Sequence, residues 1–494
     1  MGEVDTRDAR LAWLEARHAE DQATIAALRR ELSEARATLA ELRAAVLELE
    51  ARLGRDSSNS DKPPSTDKPT SRRQREKKRR GTGRKPGGQA GHEAHHRQLL
   101  PEEKVDEVKP VLPRECSRCG GPVEARQQGP PAHRHQVWEV PEVKPYVTEW
   151  RLLYGYCAGC ERWTSGELPP GVPTGAFGPR LMALVAYMTG LLRLPKRPVQ
   201  WLWRDVLGVE VALGSVSKVE GQVSQALAAP VEEARQYIRR QRGPVHLDDT
   251  GWHEGSLRKA LWAAATGLVA VFLIAEGRSK KVAQEIMGKD FQGIVVADRA
   301  RAHRWLGVER WQLCWSHLQR NFQSWVDRGR EASEPGKHLV EYTATLFRLL
   351  RRVRDGTLRR STMLRRMDEV RQRVRAVLEE VSVGVDENAA RAARELLELW
   401  KALWTFMKHE EVPATNNHDE RLLRHAVCMR KVSFGTKSSE GSRFIERALS
   451  TVTTLRLQNR PVLSFLTQAV ESWLHGQSAP SLLPPLAPGR YATA

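Results

Sequence analysis

Between residues 245 and 314 the chain carries five apolar runs of strand length, and this cluster limits its folding more than any other feature. The runs cover residues 245–248, 257–266, 268–275, 294–297 and 311–314. The longest uncharged apolar run, 261–275, is too short to span a bilayer and is broken by Thr266-Gly267, so it reads as a β-hairpin. A helix over 279–287 separates the third run from the fourth, and another begins near Ser316.

Three neighbouring strands followed by alternating helices and strands predict a mixed sheet of the ribonuclease-H type. Asp248 ends the first run and Asp298 follows the fourth, ends that such a sheet can bring together. A third acid, Glu420, stands in Asn416-Asn417-His418-Asp419-Glu420-Arg421 at the start of a helix whose apolar side includes Leu423 and Val427. Carboxylates gathered in this way can hold paired divalent cations for phosphodiester chemistry. With 79 Lys and Arg against 60 Asp and Glu, a net charge of +19, the natural phosphodiester is nucleic acid.

At 494 residues several domains are expected. The first ten residues are charged and no apolar segment follows them, so no secretory signal is read and the protein is expected to be soluble and intracellular. Residues 1–54 form the first unit. Its a-like positions are Leu11, His18, Ile25, Leu32, Leu39, Val46 and Leu53, and its d-like positions Leu14, Asp21, Leu28, Ala35, Leu42 and Leu49. That seam predicts a coiled coil and a homo-oligomer, with a single amphipathic helix packed on its own chain as the alternative.

Residues 55–98 read as a basic disordered linker, with no packable face at its start. Residues 71–86 hold nine Lys or Arg against one Glu, including Arg72, Arg73, Lys77, Lys78, Arg79 and Arg80, which suit phosphate contacts. Residues 99–170 contain Cys116-Ser117-Arg118-Cys119 and Cys157-Ala158-Gly159-Cys160 around a β-rich segment, 137–154. Four thiolates so spaced predict a structural Zn²⁺ ribbon, with two redox-active thiol pairs as the weaker reading. Residues 171–243 are helical, with Gly208 closing one helix and Ser215 as N-cap of the next. A helix-turn-helix and a plain three-helix unit fit equally. The catalytic core is expected at 244–330 and 413–475, around an Arg-rich helical insertion at 331–412, before a tail at 476–494.

The chain resembles bacterial insertion-sequence transposases of the IS66 type. The resemblance rests on Asn59-Ser60-Asp61-Lys62-Pro63-Pro64-Ser65, Gly83-Arg84-Lys85-Pro86-Gly87-Gly88-Gln89-Ala90-Gly91-His92 and the two cysteine knuckles. It rests also on His246-Leu247-Asp248-Asp249-Thr250-Gly251-Trp252, Cys314-Trp315-Ser316-His317-Leu318, the Asn416–Arg421 motif and Arg430-Lys431-Val432-Ser433-Phe434-Gly435. These follow one another over about residues 55–475. The resemblance implies an Asp-Asp-Glu DNA transposase whose triad falls on Asp248, Asp298 and Glu420. It also implies two Mg²⁺ ions, double-stranded DNA as partner (element ends and target), accessory proteins of the same element, and a cytoplasmic, nucleoid-associated location. A decayed copy acting only as a DNA-binding protein is the competing reading, and a structure-selective nuclease a third.

Two departures stand out. Asp249 follows Asp248 where the family reads Asp-Glu-Thr, and adjacent strand residues face opposite ways, so Asp248 is taken for the site. Arg299 and His303 stand after Asp298, where the family has a small residue and later a tyrosine. Cys314 reads as a buried strand residue, while His317 and Arg320 are expected to reach DNA phosphates.

Overall fold

The computed structural model describes residues 5–59, 67, 97–125, 133–329 and 331–484. The heptad segment forms one helix, α1 (Asp5–Leu53), closed where Gly54 N–H donates to Glu50 O at 2.8 Å. Its seam residues Leu14, Leu28, Leu32, Leu42 and Leu49 are exposed in the single chain. The basic residues Arg72, Arg73, Lys77, Lys78, Arg79 and Arg80 lie outside the described residues. One expectation for the linker fails at its start. Ser57 is buried, its backbone N–H and its hydroxyl both donating to Asp67, and Asn59 donates to Asp327 at 2.8 Å. Side-chain hydrogen bonds, one of them to a residue 268 positions away, supply the packing that its apolar content could not.

Around the cysteines the described residues form one hairpin, β1 (Tyr154–Cys157) against β2 (Arg162–Ser165). Among the described residues the expected β-rich segment carries no strand before Tyr154, although Leu153 O accepts from Gly166 N–H at 2.9 Å. Pro141 and Pro145 deprive it of ladder donors.

Four helices follow: α2 (Pro179–Ala186), which runs into a π-turn, α3 (Lys196–Leu207), α4 (Leu213–Ala226) and α5 (Ala228–Arg239). Gly208 closes α3 at φ +62°, as its lack of Cβ permits. Ser215, expected as a cap, instead lies in the first turn of α4; Ala212 is the N-cap and no side chain caps the helix.

The sheet comprises β3 (Pro244–Glu254), β4 (Leu257–Ala265), β5 (Ala270–Ala275), β6 (Ile294–Ala297) and β7 (Trp311–Leu313), in the order β5-β4-β3-β6-β7. The first three strands are antiparallel, while β3, β6 and β7 run parallel. Helix α6 (Lys280–Met287) crosses from β5 to β6, its N-cap Ser279 accepting from Val282 N–H. Helix α7 (Trp315–Arg328) leaves β7, and α8 (Ser333–Arg354), α9 (Arg360–Ser382) and α10 (Glu387–Glu398) form the insertion. The chain returns as α11 (Asn417–Ser433), α12 (Ser439–Leu457) and α13 (Val462–Leu474). No helix among the described residues is long and apolar enough to cross a membrane.

Strand alternation divides the apolar residues between two cores. Val295 and Ala297 of β6 join a core with α2, α4, α12 and α13, whereas Ile294 and Val296 join one with α7 and the insertion. The second core is pinned to β7 by the fully buried Gln312. Its amide donates to Leu313 O and Leu403 O and accepts from Phe406 N–H.

The free edge of β5 is closed by side chains rather than by another strand. Ile274, Phe272 and Ala270 N–H donate to Glu446, Ser450 and Thr454 of α12 at 2.7, 2.9 and 3.0 Å. Four helical residues rise about 6 Å and two strand residues about 6.8 Å, so side chains at i, i+4 and i+8 meet alternate strand donors. An exposed edge would otherwise invite pairing with another chain.

Candidate active site

The last parallel pair of β3 and β6 is His246 with Val296. Two residues beyond it on each segment stand Asp248 and Asp298, the latter one residue past β6. Two-residue steps keep a side chain on the same face of a strand, so Asp248 shares the face of His246; Asp298, just past β6, lies close enough for its charge to act on Asp248. Asp248 does not end its strand, as the sequence suggested: β3 continues to Glu254 against β4, and what stops is its pairing with β6. The fork between β3 and β6 is where the two acids meet.

Their environments separate their protonation. Burial pushes Asp248 up to about 7, and the charge of Asp298 adds to this while His317 and the Asp249 N–H oppose it. Asp298 is also penalised by burial, but the His303 hydrogen bond and charge, with His317 and the Ala300 N–H, hold it down at about 2. His303 Nε2 lies 3.3 Å and Ala300 N 3.0 Å from Asp298 Oδ1. His303 is buried, with Trp262 and Trp311 at its ring by edge contacts. Sequence reading noted His303 only as a departure; its five-residue spacing from Asp298 was the available signal.

Arg299, the other departure, is engaged elsewhere: its guanidinium meets Glu395 of α10 at 2.9 Å, and Arg304 pairs with the same carboxylate. Asp249 pairs with Arg278.

Glu420 occupies the first turn of α11, and Asn416 fixes that turn. The fully buried Asn416 amide donates to Leu247 O at 3.0 Å and accepts from His246 Nδ1 at 2.8 Å, while its backbone N–H meets Cys314 Sγ at 3.1 Å. It therefore ties α11 to β3 and to the start of α7. Glu420 Oε1 lies 3.3 Å from Arg320 Nη2 and 3.6 Å from His317 Nδ1, so the two residues expected at DNA phosphates face this carboxylate. Burial disfavours charge on His317, yet Cys314 and Asp248 together raise it to about 9. His317 thus lies within electrostatic reach of Asp248 and in contact range of Glu420.

Asp419, beside Glu420, is 0% exposed, and neither carboxylate oxygen has a hydrogen-bond partner. Burial first, then the charge of Asp248, pushes it well above the usual carboxylate range. Among the described residues, the group of donors all within 4.8 Å of one another is Cys314, His317 and Glu420; Asp248, Asp298 and Glu420 do not form such a group. A cavity of about 280 Å³ opens beside them, lined among others by Asp298, Cys314, His317, Asn321 and Glu395.

The cysteine knuckles share a local design. Backbone N–H groups of Arg118 and Cys119 lower the Cys116 thiol, and those of Cys160 and Gly159 lower Cys157. Each turn ends in a left-handed residue directly after its second cysteine, Gly120 at φ +70° and Glu161 at φ +55°. Cys116, Cys119, Cys157 and Cys160 are not joined in one donor group within 4.8 Å.

Comparison with known families gives two matches. A family described as "Transposase IS66 family" matches residues 174–443, and a family of unknown function, DUF6444, matches residues 13–98. No curated protein matches the chain.

Proposed function

Because the chain belongs to the transposase IS66 family, we propose that it is a DNA transposase working by Asp-Asp-Glu chemistry on a ribonuclease-H-like sheet. The observation that carries this is the fork at His246 and Val296, two residues beyond which Asp248 and Asp298 lie close enough for the charge of one to act on the other. The strand order supports it, three antiparallel strands continued by two parallel ones. Glu420 completes the set from α11, held towards β3 by Asn416.

The residues fit divalent cations. Two buried Asp419 oxygens without donors, beside an Asp248 raised to about 7, make a pocket short of positive charge. Bound Mg²⁺ would supply the Lewis acid that activates the attacking water or 3′-hydroxyl and neutralises the leaving oxygen. Asp298, kept ionised by His303 and Ala300 N–H, offers a fixed anionic oxygen. Arg320 and His317 hold Glu420 until it turns towards the two aspartates. No side-chain nucleophile is required, since the DNA end itself provides the attacking hydroxyl.

Around this core we assign DNA contacts to the basic tract (Arg72, Arg73, Lys77, Lys78, Arg79 and Arg80) and structural Zn²⁺ to Cys116, Cys119, Cys157 and Cys160. Knuckle N–H groups that favour thiolates support the zinc assignment. The exposed leucine seam of α1 supports pairing of two chains, as two element ends would need. The test is incubation of the full chain with Mg²⁺ and a labelled element end. Nicked and joined products are expected, and Asp248→Ala should remove both while leaving end-binding intact. Near-normal cleavage by that variant would sink the assignment.

A further inference from the structure

We propose that Cys314, His317 and Glu420 form a separate site for a thiophilic divalent cation such as Zn²⁺, whose capture takes Glu420 away from the Asp248–Asp298 fork. The first half stands on geometry alone; the second rests on the function proposed above.

The three donor atoms already lie within 4.8 Å of one another. Tetrahedral zinc, with bonds of about 2.0–2.3 Å, has ligand–ligand edges of roughly 3.3–3.8 Å. The 3.6 Å between His317 Nδ1 and Glu420 Oε1 is such an edge, and the cysteine needs to close by about 1 Å at most. His317 Nδ1 is buried and makes no hydrogen bond, so its lone pair is available once the ring proton is displaced.

The scaffold is fixed on every side. Cys314 is the N-cap of the fourteen-residue helix α7 and His317 lies three residues on, in its first turn. Glu420 comes from the first turn of α11, and Asn416 N–H donates to Cys314 Sγ from that same turn. Trp315 N–H donates to Ala414 O at 3.0 Å, which ties the segment before α11 to α7.

The donor set selects the ion. Thiolate, imidazole and carboxylate suit a borderline-soft tetrahedral cation, whereas Mg²⁺ prefers an octahedral shell of oxygens. One thiolate and one carboxylate neutralise a 2+ charge, and three protein ligands leave a fourth position for water. Cys314 and His317 line the 280 Å³ cavity, which gives an ion its way in. The competitor is Arg320, 3.3 Å from Glu420 Oε1; its partly exposed side chain can swing into solvent when the ion arrives.

Co²⁺ is the probe, because a thiolate–cobalt bond absorbs strongly in the near ultraviolet. The full chain is titrated beside Cys314→Ser and His317→Asn, with circular dichroism to check that each is folded. The cysteine knuckles contribute equally to all three, so the wild type should bind one ion more and show an additional charge-transfer band. Glu420→Gln should weaken that extra ion about tenfold or more. Equal stoichiometry and superimposable spectra in the wild type and both folded variants would overturn the site. Should Cys314→Ser not fold, His317→Asn gives the same reading.

For the second half, DNA nicking is followed in Mg²⁺ with rising Zn²⁺, each protein scaled to its own zinc-free rate. Zinc should inhibit the wild type at concentrations that spare Cys314→Ser. Identical inhibition of both would overturn the link to Glu420. A protein that binds the extra ion yet never cuts DNA would refute the proposed function instead, and the two failures are distinct.

Discussion

Asn416→Ala tests how the site is held together. The side chain is fully buried and makes two hydrogen bonds, Oδ1 with His246 Nδ1 at 2.8 Å and Nδ2 to Leu247 O at 3.0 Å. Because Nδ2 must donate to the carbonyl, Oδ1 faces the imidazole and His246 donates from Nδ1. Burial holds His246 down at about 4, so it is neutral and cannot compensate by gaining charge. Truncation leaves a buried imidazole N–H and a carbonyl without this partner, at about 1–3 kcal/mol each, with a small cavity in addition. A loss of about 2–6 kcal/mol is expected in urea unfolding followed by tryptophan fluorescence. Under conditions where the variant is folded, it should still bind element ends yet nick them far more slowly, because α11 no longer presents Glu420 to β3. Asn416→Asp should also destabilise, since it sets an oxygen against Leu247 O. A change below about 0.5 kcal/mol, with normal nicking, would refute the idea that this amide anchors the site.

Other expectations follow from the same structure. The folded Asp248 carboxyl titrates near 7 against an ordinary 3.8, so between those values the folded chain keeps a proton that the unfolded chain has lost. In chelator, stability should therefore fall as pH rises from about 4 to about 7, by at most about 4 kcal/mol. Asp248→Asn should flatten that part of the profile, and an unchanged slope in thermal melts would count against the burial of this acid. Paired Leu28→Glu and Leu32→Glu should convert the oligomer to a monomer in sedimentation equilibrium; a wild type that is monomeric at all concentrations would remove the role given to α1. Neutralising Arg72, Arg73, Lys77 and Lys78 should lower the salt dependence of end-binding by roughly four in log–log slope. Ser450→Ala, which deprives the buried Phe272 N–H of its acceptor, should cost about 1–3 kcal/mol. No change in its unfolding midpoint would mean that α12 is not what closes the edge of β5.

Local physics was legible in the chain itself. Apolar runs marked all five strands of the sheet, and Ser279 and Gly208 marked helix ends, whereas Asp248, expected at a strand end, lies in the middle of β3. Where sequence reading failed, it had taken a residue's type for its setting. Ser215 resembles a cap but sits inside a turn, residues 137–153 resemble strands but form none among the described residues, and Ser57 resembles a linker but is buried.

Only the folded chain decided where β3 leaves β6, which brings two aspartates within electrostatic reach of each other and a histidine between Asp248 and Glu420. Glu446, Ser450 and Thr454 would pass for the wet side of α12, yet they close a strand edge. Asp419 would pass for a solvated acid, yet it is buried without a partner. Periodicity is set by neighbours three or four residues away and is written in order along the chain. Solvation, charge and pairing at a site depend on segments more than a hundred residues apart, and those distances are fixed when the two cores close on the sheet.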